Sequence, residues 1–105
     1  MARSVKWTTA AWIDLADLAD YIAKDSEYYA ATFVREVRDA ARSLRQFAER
    51  GTIVPELDDP SVRELYIGQY RLTYEISKRK VFILGLIHGA RDLASLWKNR
   101  RRRRK

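Results

Sequence analysis

The sequence predicts an α+β domain: an N-terminal strand, an αα-hairpin and a three-stranded antiparallel meander (β-α-α-β-β-β), followed by a short C-terminal helix. Three observations carry that prediction. From Tyr70 to Ile76 the residues Tyr70, Leu72, Tyr74 and Ile76 alternate with Arg71, Thr73 and Glu75, a period of two that marks a half-buried strand. From Val81 to Ile87 both faces are apolar, as in an interior strand covered above and below. Between Ala10 and Phe47 apolar residues return every three or four positions, in two stretches separated at Asp25-Ser26.

Taken in order, Arg3 to Trp7 reads as an edge strand with Val5 and Trp7 on one face. Thr8 and Thr9 are suited to cap the helix that follows, Ala10 to Lys24, whose core stripe is Trp12, Leu15, Leu18, Ala19 and Ile22. Asp25-Ser26 caps a second helix with the stripe Ala30, Phe33, Val37, Ala40, Leu44 and Phe47. Arg35/Asp39 and Arg45/Glu49 form i,i+4 pairs on its outer side, and Gly51 supplies its C-cap. Thr52 to Ser61, with Pro55 and Pro60 around Asp58-Asp59, is a loop. Strands over Val62–Ile67, Tyr70–Ile76 and Val81–Ile87 are joined by tight turns at Gly68-Gln69 and Ser77–Arg79. Hairpin connections make these three antiparallel. Asp92 then caps a helix through Leu96, Trp97 and Lys98 that the arginines dissolve.

With 105 residues and 47% hydrophobic content, the chain is long enough for one modest core. It has no cysteine and one histidine, His88, which excludes thiolate and multi-histidine metal sites; no cofactor is expected. No apolar run is long enough to cross a bilayer and no signal peptide precedes Val5, so a cytoplasmic protein without a membrane partner is expected. The formal charge of +7 comes from 21 Lys+Arg against 14 Asp+Glu. Six of those cations form the run Arg100 to Lys105, and without them 15 face 14, a net +1. Residues 1–99 are thus a nearly neutral folded domain, and 100–105 a basic disordered tail that attracts polyanions, nucleic acid included, regardless of sequence.

The apolar sheet ends abruptly at His88-Gly89-Ala90-Arg91-Asp92, a polar cluster on its rim and the natural place for function. This ending, the segment Arg63-Glu64-Leu65 and the strand Tyr70-Arg71-Leu72-Thr73-Tyr74, behind an αα-hairpin, together resemble the RelE/ParE superfamily of toxins from bacterial type II toxin–antitoxin systems. The resemblance runs from Val5 to about Trp97. It implies a RelE/ParE-like fold, a growth-arresting toxin and a cognate antitoxin that keeps it silent.

The superfamily offers two mechanisms. Its RelE-like branch cuts messenger RNA in the ribosome; its ParE-like branch poisons DNA gyrase by binding. Arg71 and Arg91 stand where the RNA-cutting branch keeps two arginines around the scissile phosphate. Val62 and Glu64 stand where that branch keeps lysines, and Trp97 where its terminal helix offers a tyrosine. Cleavage through the 2′-hydroxyl needs a base, an acid and cations for the charge on phosphorus. Trp97 has no proton to exchange near neutral pH, and Glu64 would repel phosphate. Only His88 titrates near neutrality in its unperturbed state. The resemblance therefore implies the ParE branch: a gyrase inhibitor neutralised by a ParD-like antitoxin, without catalytic residues. The alternative is a ribosome-dependent endoribonuclease with Arg71, His88 and Arg91 as its catalytic candidates.

The residues expected to touch the target are Arg63, Arg71, His88, Arg91, Asp92 and Trp97. Tyr21, Tyr28 and Tyr29, clustered near the turn of the helical hairpin, are expected to receive the antitoxin, which orders as it docks. Structural roles stand beside these. His88 also reads as a hydrogen-bonded structural histidine, Arg91-Asp92 as a local ion pair and cap, and Arg63 as a partner of Glu64's neighbours or of Glu75 across the hairpin. Arg71 reads either as a solvent-facing residue or as part of a partner-binding groove.

Overall fold

A computed structural model of the chain describes residues 2–89 and 94–102, the side chains of Ser95 and Arg102 excepted. Strand β1 (Ser4–Trp7) leads directly into helix α1 (Thr9–Ala23) through Thr8. The Thr8 hydroxyl accepts from Ala11 N–H at 3.2 Å and donates to Ile83 O at 2.7 Å, so one side chain starts the helix and fastens its end to the sheet. Ser26 caps α2 (Glu27–Ser43) by accepting from Tyr29 N–H. Strands β2 (Thr52–Ile53), β3 (Val62–Ile67), β4 (Tyr70–Ile76) and β5 (Lys80–His88) follow, then α3 (Ala94–Arg102).

The five strands form one mixed sheet in the order β1-β5-β4-β3-β2. β1 lies parallel to β5, with Val5 opposite Val81, and the other pairs are antiparallel. Gly68 takes φ 60° in the two-residue β3–β4 turn, a left-handed conformation that glycine adopts without penalty. The α+β architecture and the order of elements agree with the sequence reading; the short β2 is an addition to what had read as loop.

Both faces of the sheet are covered. On one, α1, α2 and Leu44 just after it lay Ala11, Leu15, Val37, Ala41 and the Leu44 side chain against Leu72, Tyr74, Val81, Ile83 and Leu86. On the other, Val54 and Trp97 pack on Val62, Leu84 and Ile87. This second layer corrects the reading of β4 as half-buried, because Arg71, Thr73 and Glu75 are buried beneath it. A period of two identifies two faces but does not say what lies on either.

Two aromatic residues assigned to the core are surface residues. Trp12 is 46% exposed and stacks on Trp7 with ring centroids 4.5 Å apart, because α1 turns Ala11 and Leu15 inward instead. Phe47 is 66% exposed because α2 stops at Ser43 and the chain re-enters through a 3₁₀ turn, Ala48–Arg50, that buries Ala48. Arg45 and Glu49 therefore share no helix. The ion pair on α2 joins Asp39 to Arg42 at 3.8 Å, where the i,i+4 spacing suggested Arg35.

Tyr74 fixes that turn. Its hydroxyl donates to Ala48 O at 2.7 Å and accepts from Gly51 N–H at 3.0 Å, deep in the core. A Cβ on Gly51 would stand 2.7 Å from Glu64 O and 2.5 Å from the same hydroxyl, so the backbone passes where only glycine fits. Replacing Tyr74 by Phe leaves a buried N–H and C=O unpartnered and is expected to cost about 1–3 kcal/mol. Urea unfolding of Tyr74→Phe against the parent measures it.

Candidate functional site

The second face of the sheet carries Arg71 and Glu64, the cation and the carboxylate on which the choice between the two branches turns. Arg71 lies on β4 opposite Tyr66 of β3, with Glu64 two residues along the same face. Its side chain is 4% exposed. Arg71 Nη1 donates to Glu56 Oε1 at 2.9 Å and Nη2 to Glu56 Oε2 at 2.7 Å, a bidentate fork. Nη1 also donates to Glu64 Oε1 at 3.1 Å. The hydrogen bonds that Glu56 accepts first, and then the Glu64 carboxylate, raise the guanidinium pKa against the opposing effect of burial. One cation thus faces two carboxylates.

The same arrangement repeats under α3. Arg101 Nη2 lies 2.7 Å from Glu75 Oε2 and 3.0 Å from Asp59 Oδ2. Arg100 Nη1 donates to Asp14 Oδ2 at 2.6 Å and to Leu84 O at 3.0 Å, while Asp14 Oδ2 accepts from Leu86 N–H at 3.0 Å. β1 ends opposite Ile83, so this ion pair occupies the edge of β5 that β1 leaves open. The Arg100 guanidinium also sits 5.6 Å from the centre of the Trp97 ring. A Cβ at Gly85 would meet Asp14 Oδ2 and the Trp97 ring at 2.8 Å each, so the close approach needs glycine.

These contacts correct the boundary at residue 99 and the helix end near Lys98. α3 runs through Arg102, and Arg100 and Arg101 belong to the folded body because three carboxylates await them. Residues 103–105 of the expected tail lie outside the described residues.

Of the expected target-binding residues, the four that are described, Arg63, Arg71, His88 and Trp97, do not share one exposed surface. Arg63 holds the 3₁₀ turn and the loop before β3, donating to Gly51 O at 2.9 Å, Glu49 O at 3.3 Å and Pro60 O at 3.2 Å, and not across the hairpin to Glu75. Arg71 is buried, which excludes the solvent-facing alternative. Trp97 is fully buried and presents nothing to a partner. His88 is exposed at the end of β5, its Nε2 3.3 Å from Gln69 Oε1 and its ring edge-to-face with Tyr70. Arg91 and Asp92 lie outside the described residues. No group of three or more His, Cys, Asp or Glu side chains among the described residues is arranged to hold a metal ion.

Tyr21, Tyr28 and Tyr29 are all exposed near the turn of the helical hairpin. Tyr29 borders an open groove between the helices and the β3–β4 turn, lined also by Ile22, Phe33, Ile67 and Tyr70 with Glu36 on its rim. Phe33, Tyr70 and His88 form a continuous edge-to-face series, with centroids 5.5 and 5.9 Å apart. This aromatic groove runs from Tyr29 to Tyr70, against which His88 stacks edge-to-face, and suits the apolar face of a partner segment. Sequence reasoning missed Phe33 and Tyr70 here because their spacing reads as core.

The described fold and groove can be set against known proteins. The family described as "ParE toxin of type II toxin-antitoxin system, parDE" matches residues 5–93. This chain belongs to the ParE toxin family. It is also similar to a protein named Toxin RelE2 of Caulobacter vibrioides, 33% identical over 88 residues that cover 83% of this chain and 96% of the relative. Two solved structures share the fold. One is a chain of a chromosomal ParDE toxin–antitoxin system from P. aeruginosa, with 24% identity, a TM-score of 0.68, and coverage of 83% of this chain and 96% of that one. The other belongs to the toxin–antitoxin complex RelBE2 from Mycobacterium tuberculosis, with 25% identity, a TM-score of 0.60, and coverage of 84% and 99%. The chain is therefore a toxin of the ParE/RelE type, as its residues suggested.

Asp59 offers a pH test of the second layer in this ParE-family toxin. Ser61 N–H and hydroxyl both donate to Asp59 Oδ1 at 2.9 Å. With Ser61 as the largest cause and Arg101 adding to it, the Asp59 carboxyl is held below its ordinary value of 3.8. A carboxyl depressed by folding stabilises the fold above its unfolded value, and that contribution is lost as pH falls through the folded value. The stability gap between the parent and Asp59→Asn is expected to be full at pH 7 and to close at about pH 2, as read from urea midpoints at the two pH values.

Proposed function

We propose that this toxin arrests growth in the cytoplasm by binding DNA gyrase, and that a ParD-like antitoxin keeps it silent by docking at Tyr21, Tyr28 and Tyr29. One observation carries this reading. On the sheet face where an RNA-cutting site would need free cations, Arg71 is bracketed by Glu56 and Glu64, and Arg101 by Glu75 and Asp59. Among the described residues each of these arginines is already engaged by two carboxylates, so a phosphodiester would have to compete with them for the cation its transition state needs. Losing one positioned electrostatic group typically costs about two to three orders of magnitude in rate. General acid–base catalysis by His88 alone supplies about two to four orders, which does not offset an engaged Arg71 together with the lysines and the tyrosine that Val62, Glu64 and Trp97 replace.

Binding has no such requirement. The aromatic groove and exposed His88 support a surface that captures protein, and the structural neighbours from antitoxin complexes support an antitoxin partner. Among the described residues no helix is long and apolar enough to cross a membrane.

Purified protein is expected to block gyrase supercoiling or to accumulate cleaved DNA, while translating ribosomes show no new cuts in messenger RNA. Co-expression of the adjacent small antitoxin gene is expected to restore growth, and Tyr28→Ala with Tyr29→Ala to weaken that rescue. Ribosome-dependent cleavage lost in His88→Ala, with gyrase unaffected, would reverse the reading in favour of an endoribonuclease.

A further inference from the structure

A second groove lies along the outer edge of β1, away from the tyrosines and from His88. Its lining includes Val5, Trp7, Trp12, Arg38, Arg42 and Arg45, with Ala41 at the α2 wall. β1 is the last strand on its side of the sheet. Ser4 N–H bonds back to Arg79 O at 3.1 Å and Thr8 N–H to Ile83 O at 3.2 Å, so the even-numbered residues bond towards β5. Alternation along a strand then turns the backbone N–H and C=O groups of Val5 and Trp7 outward. Arg3 obeys the same parity: its N–H leaves the sheet and meets Arg45 O at 2.9 Å.

The groove is also charged on one side. Arg35, Arg38, Arg42 and Arg45 recur at spacings of three, four and three along α2 and the turn after it. Three of them line the groove, and among the described residues no carboxylate does. Asp39 offsets Arg42 only through an exposed contact of 3.8 Å, a kind of pair that contributes little in water. The stacked indoles of Trp7 and Trp12 add an apolar surface beside the cations.

We propose that this groove receives an extended, acidic peptide segment of a partner protein, which adds to β1 as a further strand. Strand addition is the occupancy that satisfies the outward groups of Val5 and Trp7, while alternate side chains of the segment set carboxylates against Arg38, Arg42 and Arg45. A single-stranded nucleic acid would use the arginines and indoles but leave those backbone groups without partners. A second copy pairing edge to edge would bring its own arginines against these. The four residues of β1 offer about 13 Å of edge, enough for two alternate carboxylates.

The test uses the full chain and a synthetic capped octapeptide that alternates Asp and Val, followed by tryptophan fluorescence and by amide exchange at Val5 and Trp7. Saturable binding with protection of those two amides is expected. Replacing every Asp by Lys, or making Arg38→Glu with Arg42→Glu, is expected to weaken it by about tenfold or more, the equivalent of losing about 1.4 kcal/mol. N-methylating one alternate set of peptide amides is expected to abolish binding and methylating the other set to spare it, because only one edge of the segment faces β1. Equal tolerance of both methylated peptides, equal binding of the Lys peptide, or protection of Val5 and Trp7 by oligothymidylate would each overturn the proposal. So would edge protection that depends on protein concentration and not on peptide, which would assign the groove to a second copy.

Discussion

A guanidinium buried between two carboxylates governs much of this structure. Arg71 belongs to the central strand β4, Glu64 to its neighbour β3, and Glu56 to the segment that crosses the sheet between β2 and β3. The bidentate fork to Glu56 therefore holds that segment down and brings Val54 onto Val62. A buried pair of this kind adds little net stability over an apolar replacement, since desolvation opposes attraction, but removing one member leaves an uncompensated charge. Its consequence is specificity of position: the segment has one place to lie.

The C-terminal helix completes the same layer by the same means. Asp14, Asp59 and Glu75 come from α1, a loop and β4, and two consecutive arginines reach all three. The high formal charge of the chain is thus partly internal, serving to seat α3 and Trp97 on the sheet. On this face the described arginines are engaged by carboxylates that hold a loop and a helix in place. The two surfaces proposed above for partners lie elsewhere, on the helical side and at the outer edge of β1.

Much of the fold was legible from periodicity and capping residues. The alternation of Tyr70 to Ile76, the two-faced apolar run of β5, and Thr8 and Ser26 as caps all describe local chemistry, and local chemistry is what a sequence displays. The superfamily could be recognised from three short segments in order. What could not be read was the covering of the second face. Arg71 and Glu56 are fifteen positions apart with a proline loop between them, and no local pattern marks them as partners. Trp12 was misplaced because hydrophobicity ranks tryptophan as core, while the register of α1 is decided by the smaller Ala11 and Leu15. The arginine row of α2 was visible as a spacing, but only the position of β1 beside it gives it a groove.

The most direct test of this account is a double-mutant cycle between Arg71 and its two carboxylates, read by equilibrium urea unfolding. Arg71→Met alone is predicted to lose about 3–5 kcal/mol by stranding two buried charges. Adding Glu56→Gln and Glu64→Gln is predicted to recover much of that loss, giving a coupling on the order of 1–3 kcal/mol. If Arg71→Met unfolds at the same urea concentration as the parent, with no coupling to either carboxylate, Arg71 is free for a ligand and the account of this face is wrong.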